Sequence, residues 1–250
     1  MECVTSNVKE FNSILNLLVN FNENVKFQCT KDGIMTQCLA NASTCIVKIT
    51  IDPLYFAEYK CEKDHVIGVN IKLLHTILKK CTKEDSLCLK TKENVLLMTI
   101  SNDCNVTTYE IKLIDLEQDL LEIPQLDYNF SCIITPAVLK TWKDMMEITG
   151  ESIGFEPKNP VVGESHVLEI TSHNENHSMK RLEKINFNIF QEPTGFKLSN
   201  KSMTMICSML MFKTDLYMSY QNNTPIEFSF ELKNIKIETW FAPMMDMEED

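Results

Sequence analysis

Residues 109–128 read YEIKLIDLEQDLLEIPQLDY and contain the boundary between two halves of the chain. At the start of this stretch the apolar residues Tyr109, Ile111 and Leu113 alternate with polar ones, which is the pattern of a strand with one buried face. Residues 113–129 are acidic and include Pro124. This composition predicts an extended connector between two domains rather than a further helix or strand.

On both sides of the connector the sequence is rich in short β-type segments separated by polar turns. The predicted strands of the first half are 25–29, 34–39, 45–51, 86–91, 95–101 and 106–113. Those of the second half are 130–134, 152–156, 166–171, 185–190, 215–220, 226–232 and 235–241.

Four stretches have helical rather than strand periodicity. They cover residues 8–21, 70–83, 136–148 and 200–213, and they start 62, 66 and 64 residues apart. A period this regular predicts four copies of one strand-rich unit, each with a single helix. We therefore predict an α+β protein made of two similar domains, each with antiparallel sheets and two helices. The predicted boundaries are 1–112 for the first domain, 113–129 for the connector, and 130–250 for the second domain with its acidic tail.

The protein is acidic, with 35 Asp and Glu against 24 Lys and Arg, and its net charge of -11 should repel nucleic acid and anionic membranes. The helical stretches are the exception, because they hold nine lysines against three acidic residues. Within residues 70–83, one stripe opposite the apolar face carries the side chains of Lys72, His75, Thr76, Lys79 and Lys83. Lysine suits sequence-independent attraction to phosphate. A solvated amphipathic face has the same pattern, so both interpretations stay open at this point.

Motifs for catalysis and metal binding are absent from the sequence. There is no G-x-x-x-x-G-K-[ST], no G-x-S-x-G and no H-E-x-x-H, and the ten cysteines include no Cys-x-x-Cys. We therefore expect no enzymatic activity, no cofactor and no metal. No apolar run reaches the roughly 18 residues of a spanning helix, so we also expect a soluble intracellular chain with no membrane partner.

Four blocks of the sequence resemble one known family. The first runs from Asp32-Gly33 to Tyr59-Lys60-Cys61, the second is Gly68-Val69-Asn70, the third is 109–128, and the fourth is 225–250, where Phe241-Ala242-Pro243 precedes the acidic tail. In order and spacing they are similar to the eukaryotic-type DNA sliding clamp, the proliferating cell nuclear antigen. Residues 157–184 match poorly, so the sequence resembles a divergent member, and a viral origin is one interpretation of this divergence.

The resemblance implies the DNA clamp fold and a ring of three subunits around double-stranded DNA, held without sequence preference. It also implies DNA replication and repair, with DNA polymerase, other proteins bearing a clamp-binding motif, and an ATP-dependent clamp loader as partners. The location would be the nucleus or, for a virus, the viral replication compartment. The DNA-facing residues would be Lys9, Lys72, His75, Lys79, Lys80, Lys83, Lys140, Lys143, Lys201 and Lys213.

The partner pocket of the family can be carried over by position. Its partners insert an aromatic-bearing motif, and the matching positions here are Leu39, Ser43, Thr44, Ile46, Leu121, Ile123, Pro124, Pro225, Trp240, Ala242, Pro243 and Met245. The edge strand expected to pair with residues 178–184 of a second copy contributes Thr107, Tyr109, Ile111 and Leu113. Three alternatives stay open: an interaction scaffold that does not encircle DNA, a monomeric polymerase accessory factor, and a heteromeric rather than homomeric ring.

Overall fold

The chain forms two compact units. The computed structural model describes residues 1–40, 44–117, 121–123, 126–158, 166–176, 178–189 and 195–244. The first unit comprises Met1–Glu122 with Glu231–Ile237, and the second comprises Ile123–Phe230 with Glu238–Asp250. The boundary between Glu122 and Ile123 falls inside the segment that the sequence predicts as a connector.

The first unit contains strands from two antiparallel sheets and two helices. Its helices are α1 (Val8–Val19) and α2 (Ile71–Leu78), and a short 3-10 turn covers Pro53–Tyr55. The strands are ordered β5-β1-β7-β8-β9 in one sheet and β4-β3-β2-β6 in the other. They are β1 (Glu2–Thr5), β2 (Asn24–Thr30), β3 (Gly33–Leu39), β4 (Cys45–Ile51), β5 (Glu58–Lys60), β6 (His65–Asn70), β7 (Ser86–Lys92), β8 (Val95–Ser101) and β9 (Val106–Lys112).

Alternating apolar residues give the strands of the first unit one buried face. In β2 and β4 every second side chain is buried, as expected for strands with a core on one side only. Helix α1 covers this core with Phe11, Ile14, Leu15 and Leu18, which recur at helical spacing and are at most 5% exposed. The outward faces of the same strands stay available for other contacts.

The second unit repeats this plan. Its helices are α3 (Pro136–Thr149) and α4 (Asn200–Ser208), the latter followed by a 3-10 turn at Met209–Phe212. The strands are ordered β13-β12-β11-β15 in one sheet and β14-β10-β16-β17-β18 in the other. They are β10 (Phe130–Ile134), β11 (Ser152–Lys158), β12 (Val167–His173), β13 (Ser178–Lys184), β14 (Phe187–Ile189), β15 (Phe196–Ser199), β16 (Leu216–Tyr220), β17 (Ile226–Leu232) and β18 (Ile235–Phe241).

An aromatic cluster forms the centre of the second unit. The ring of Trp142 on α3 lies 4.8 Å from that of Phe155, which stacks on Phe196 at 5.1 Å. Phe196 in turn lies 4.5 Å from Tyr220. Such contacts add roughly 0.5–1.5 kcal/mol per pair to the burial of the rings. One helix and three strands from distant parts of the sequence are therefore held together.

Capping residues define where the helices begin. The side chains of Asn70, Thr135 and Ser199 each accept a hydrogen bond from a main-chain N–H in the first turn of α2, α3 and α4. Helix α3 also has proline at its first position and ends at Gly150, whose φ of 87° is left-handed. The four helices begin at residues 8, 71, 136 and 200, so the predicted repeat of helices agrees with the structure.

Two predicted helices are too long. Helix α2 ends at Leu78 rather than at residue 83, because the N–H groups of Lys80 and Cys81 turn back to carbonyls three residues earlier. Lys83 therefore lies beyond the helix, and its assignment to the α2 stripe was wrong. Helix α4 likewise ends at Ser208, and the 3-10 turn after it is closed by Lys213 with a φ of 53°.

The sequence analysis also missed several short strands. It did not predict β1, β5, β6 or β15, and it placed a strand at 185–190, where the described residues contain β14 at Phe187–Ile189. Strands of three to six residues carry little periodicity of their own. Their pairing partners, which lie far away in the sequence, decide that they form.

Candidate functional site

The helices of the first unit carry three of the ten residues predicted to face DNA. Lys9 is exposed on α1. Lys72 is exposed on α2, and its Nζ lies 2.5 Å from Glu23 Oε1. His75 is half-buried, and its Nδ1 lies 2.9 Å from Asn12 Oδ1, so it joins the two helices. Lys72 and His75 thus have partners within the unit, whereas Lys9 extends into solvent.

Three further lysines lie at the C-terminal end of α2. Lys79 is the residue after the last helical turn, Lys80 follows it, and Lys83 lies in the next turn; all three are exposed. The C-terminal end of a helix carries partial negative charge, which stabilises cations nearby by roughly 0.3–1 kcal/mol. The helix end is therefore a suitable place for concentrated positive charge.

The helices of the second unit are more mixed in charge. Lys140 and Lys143 are exposed on α3, where Lys143 Nζ lies 3.6 Å from Glu147 Oε1. Lys201 on α4 and Lys213 after it are also exposed. An exposed ion pair contributes only about 0–1 kcal/mol, so Lys143 can leave Glu147 at little cost.

The connector begins against strand β6. The N–H of Ile114 donates to the carbonyl of Gly68 over 2.8 Å, and the N–H of Leu113 donates to the carbonyl of Asn94 over 2.9 Å. A Cβ at residue 68 would lie 2.1 Å from the oxygen of Ile114. Only glycine allows this close approach, because any side chain would push the connector away from the sheet.

Farther along the chain, the connector is hydrogen-bonded to β3. The Nε2 of Gln37 donates to the carbonyl of Leu121 over 2.9 Å, and the N–H of Leu121 donates to Gln37 Oε1 over 2.7 Å. Both main-chain groups of Leu121 are therefore satisfied by one side chain. The Leu121 side chain itself is 44% exposed.

The remaining pocket residues of the first unit lie on the sheet. Leu39 on β3 and Ile46 on β4 are register partners and both are half-buried. Because cross-strand partners share a face, these two side chains stand together, on the same face of β3 as Gln37. Thr44 is exposed just before β4, and Ser43 lies outside the described residues.

The second unit holds an open groove of about 840 Å³ at the start of β17 and the end of β18. Three of the predicted pocket residues, Pro225, Ala242 and Pro243, line it. Its walls also include Phe196 and Met244, and the N–H of Met244 donates to the carbonyl of Lys197 over 2.8 Å. The chain segment after β18 is thereby fixed along one side of the groove.

Trp240 is only 8% exposed. Its side chain hydrogen-bonds Tyr128, and burial together with the nearby Glu227 carboxylate raises the pKa of the Tyr128 hydroxyl. Ile123 is half-buried, and Pro124 and Met245 lie outside the described residues. Trp240 therefore acts mainly as a buried support for the segment that reaches the groove.

Each unit has one sheet that ends in an open edge. Strand β9 is paired on one side by β8, and β13 is paired on one side by β12. Thr107 and Tyr109 are exposed on β9, Leu113 just after it is half-buried, and Ile111 packs into the core at 6% exposure. Ile111 can therefore contribute to an interface only through its main chain.

Comparisons with known proteins find similar sequences over most of the chain. The family model for the proliferating cell nuclear antigen, N-terminal domain, matches residues 3–121. A proliferating cell nuclear antigen of Chaetomium thermophilum is 22% identical over 220 residues, which are 84% of either chain. DNA polymerase sliding clamp 1 of Thermococcus kodakarensis is 22% identical over 239 residues, 93% of either chain.

The likeness extends to solved structures. The chain matches the PCNA2-PCNA3 complex of Sulfolobus tokodaii with a TM-score of 0.84 at 19% identity, over 97% of this chain and 99% of that one. These matches support membership of the proliferating cell nuclear antigen family. The predicted clamp fold is confirmed, and the low identities agree with a divergent member.

The structure brings together some of the predicted pocket residues. In the first unit, Leu39 and Ile46 share the sheet face to which Gln37 ties Leu121. In the second, Pro225, Ala242 and Pro243 share one groove. Sequence reasoning missed Gln37, Phe196, Tyr220 and Met244, which also contribute to these surfaces. Phe196 and Tyr220 reach the groove from β15 and β16, which are distant from Pro243 in the chain, so no local pattern marks them. Gln37 and Met244 lie within two residues of predicted positions.

The described residues show no grouping typical of a metal site. Within the described ranges, no three His, Cys, Asp or Glu side chains are placed to hold an ion together. Burial raises the pKa of Cys38, Cys132 and Cys207 to about 12, so these thiols are protonated at neutral pH. Among the residues that the structure describes, no helix is long and apolar enough to cross a membrane.

Proposed function

We infer that this protein is a DNA sliding clamp, a processivity factor that encircles duplex DNA as a trimeric ring and tethers DNA polymerase and other replication and repair proteins. The proposal of a ring is based on two open sheet edges, β9 in one unit and β13 in the other. Both expose apolar side chains, with Val106 at 72%, Tyr109 at 38% and Leu182 at 60%. An open apolar edge of this kind must be covered or paired.

Because the two edges belong to different units of one chain, their pairing would be heterologous. Such head-to-tail contacts close into rings when the rotation between subunits allows it. A homomeric ring of three follows if β9 of one copy pairs with β13 of the next. Light scattering should then give the mass of three chains at micromolar concentration, and a monomer there would favour the monomeric accessory factor.

DNA retention should depend on topology, with the exposed lysines of the helices supplying a diffuse positive field. Direct phosphate binding weakens steeply with salt, because it is driven by counterion release. A loaded ring should instead stay on closed circular DNA at salt that removes direct binding, and should slide off once the circle is cut. Equal loss from circular and linear DNA would favour the scaffold that does not encircle DNA.

The lysines at the end of α2 give a test of the DNA path. K79E with K83E should impair loading while leaving the trimer mass unchanged, because both side chains are exposed. K31E with K233E is the matched control, since these exposed lysines lie in hairpin turns and the charge change is the same. Unaffected loading by K79E with K83E would remove these lysines from the path.

The partner groove is proposed to include the connector and the segment after β18. Peptides with an apolar plug gain most of their affinity from a few buried anchors, and Leu121 and Ile123 can supply walls for such a plug. Their replacement by alanine should abolish stimulation of the polymerase while the trimer stays intact. L54A, which removes another exposed leucine, is the control. Unchanged peptide affinity in the double variant would reject this assignment.

The remaining parts of the proposal follow from the clamp function. A closed ring needs a machine to open it, so an ATP-dependent clamp loader is an expected partner. The protein itself is proposed to be non-catalytic, and its location is proposed to be the nucleus or, if the source is a virus, the viral replication compartment. Co-purification with a loader complex and imaging of the tagged chain would test these two points.

A further inference from the structure

The side chain of Gln37 makes a paired contact with the connector. A primary amide presents one acceptor and two donors, so it can match a peptide group in both directions. Here the N–H of Leu121 points at Oε1 over 2.7 Å, and Nε2 points at the carbonyl of Leu121 over 2.9 Å. The pair of bonds is equivalent to one hydrogen-bonded rung between antiparallel strands.

This contact lies at a defined place on the sheet. Gln37 belongs to β3 and shares its outward face with Leu39, two residues farther along. The connector is also hydrogen-bonded at Ile114, whose N–H donates to the carbonyl of Gly68. Gly68 lies on β6, the last strand of the order β4-β3-β2-β6. The connector is therefore attached to the sheet at two separate strands.

We propose that Gln37 is a positioning residue for partner proteins, because its amide holds Leu121 with the main chain occupied and the side chain presented outward. A partner then meets an apolar side chain on a prepared surface beside Leu39 and Ile46. It cannot extend the sheet by pairing with the main chain of Leu121, since both groups are taken. The proposal rests on the inferred role of the connector as a partner-binding segment.

The physical benefit of the contact is preorganisation. A free connector loses conformational entropy when a partner orders it, and that loss reduces affinity. Two ordinary hydrogen bonds favour the held state by roughly tenfold or more. Removing them should weaken partner binding by a similar factor, although Gln37 need not contact the partner itself.

The test uses Q37M, which keeps the length of the side chain and removes both hydrogen bonds. Q28M is the matched control: Gln28 on β2 is the register partner of Met35, so it lies on the same sheet face as Gln37. Both glutamines are half-buried, so the two changes perturb packing to a similar extent. L121A, which removes the presented side chain, tests the proposed groove independently.

Two quantities are measured on the full-length protein. The first is hydrogen exchange of the Leu121 amide, which should speed up by about tenfold or more in Q37M, with the amides of the β2–β3 ladder unchanged. The second is the affinity for a fluorescent synthetic peptide that carries an aromatic clamp-binding motif and a lysine-rich flank. It should fall by about tenfold in Q37M and stay unchanged in Q28M.

The outcomes separate this proposal from the proposed function. Unchanged exchange at Leu121 in Q37M would overturn the proposal, and so would unchanged affinity in Q37M if L121A weakens the peptide. The second result would support the proposed groove and reject the positioning role of Gln37. Unchanged affinity in L121A would instead reject the groove itself, together with any positioning role of Gln37. An equal loss of peptide affinity in Q28M and Q37M would show that altered packing explains the effect, and would also overturn the proposal.

Discussion

Replacing Leu182 with alanine should weaken the ring while leaving the folded subunit unchanged. Leu182 lies on β13 and is 60% exposed within the chain, so this part of the side chain is available for burial against a neighbour. The substitution removes three carbon groups, each worth about 0.8 kcal/mol when buried. Scaled by the exposed fraction, the loss is about 1.5 kcal/mol per interface. A trimer has three such interfaces, so its dissociation constant should rise by about three orders of magnitude.

The assay is analytical ultracentrifugation over a range of concentrations, with thermal unfolding measured beside it. L182A should dissociate at concentrations where the wild type is trimeric, and its unfolding as a monomer should match that of a wild-type monomer. L54A is the control, because Leu54 is 78% exposed and lies in the 3-10 turn at Pro53–Tyr55, which precedes β5 at the opposite end of the sheet from β9. If L182A and L54A dissociate alike, the β13 edge does not form the interface and the reasoning fails.

Three further predictions concern the subunit itself. G68A should lower the free energy of unfolding by about 1–3 kcal/mol in urea titrations, since the new Cβ would lie 2.1 Å from the oxygen of Ile114. Unchanged stability would mean that the connector can move away from residue 68 without loss of stability. Hydrogen bonds hold the pKa of Asp85 below its ordinary value, so Asp85 adds stability above about pH 4 that is lost as pH falls through the lowered pKa. D85N should therefore lower stability at pH 7 and flatten its decline in acid, and parallel curves for both proteins would contradict this. At pH 8 the exposed Cys104 should react with a thiol reagent quickly and Cys132, whose pKa burial raises to about 12, only after unfolding; labelling of Cys132 in the native protein would contradict its burial.

The sequence by itself determined the plan of the subunit. Helical periodicity and local capping residues such as Thr135 and Gly150 are short-range signals, so the four helices and their regular spacing could be predicted. The longer strands carry their own alternation, as β2 and β4 show. The family resemblance predicted the pocket residues by position, and the acidic, proline-containing connector predicted a division between two halves.

Only the tertiary structure decided the contacts that join distant segments. Strands β5 and β15 form because a partner strand satisfies their main chain, which no local pattern reveals. The pairing of Lys72 with Glu23 joins residues 49 positions apart, and that of Gln37 with Leu121 joins residues 84 positions apart. Periodicity reports which face of an element is buried, but it contains no information about which element lies opposite. The surface that holds the connector therefore emerges only when the fold brings β3, β4 and the connector together.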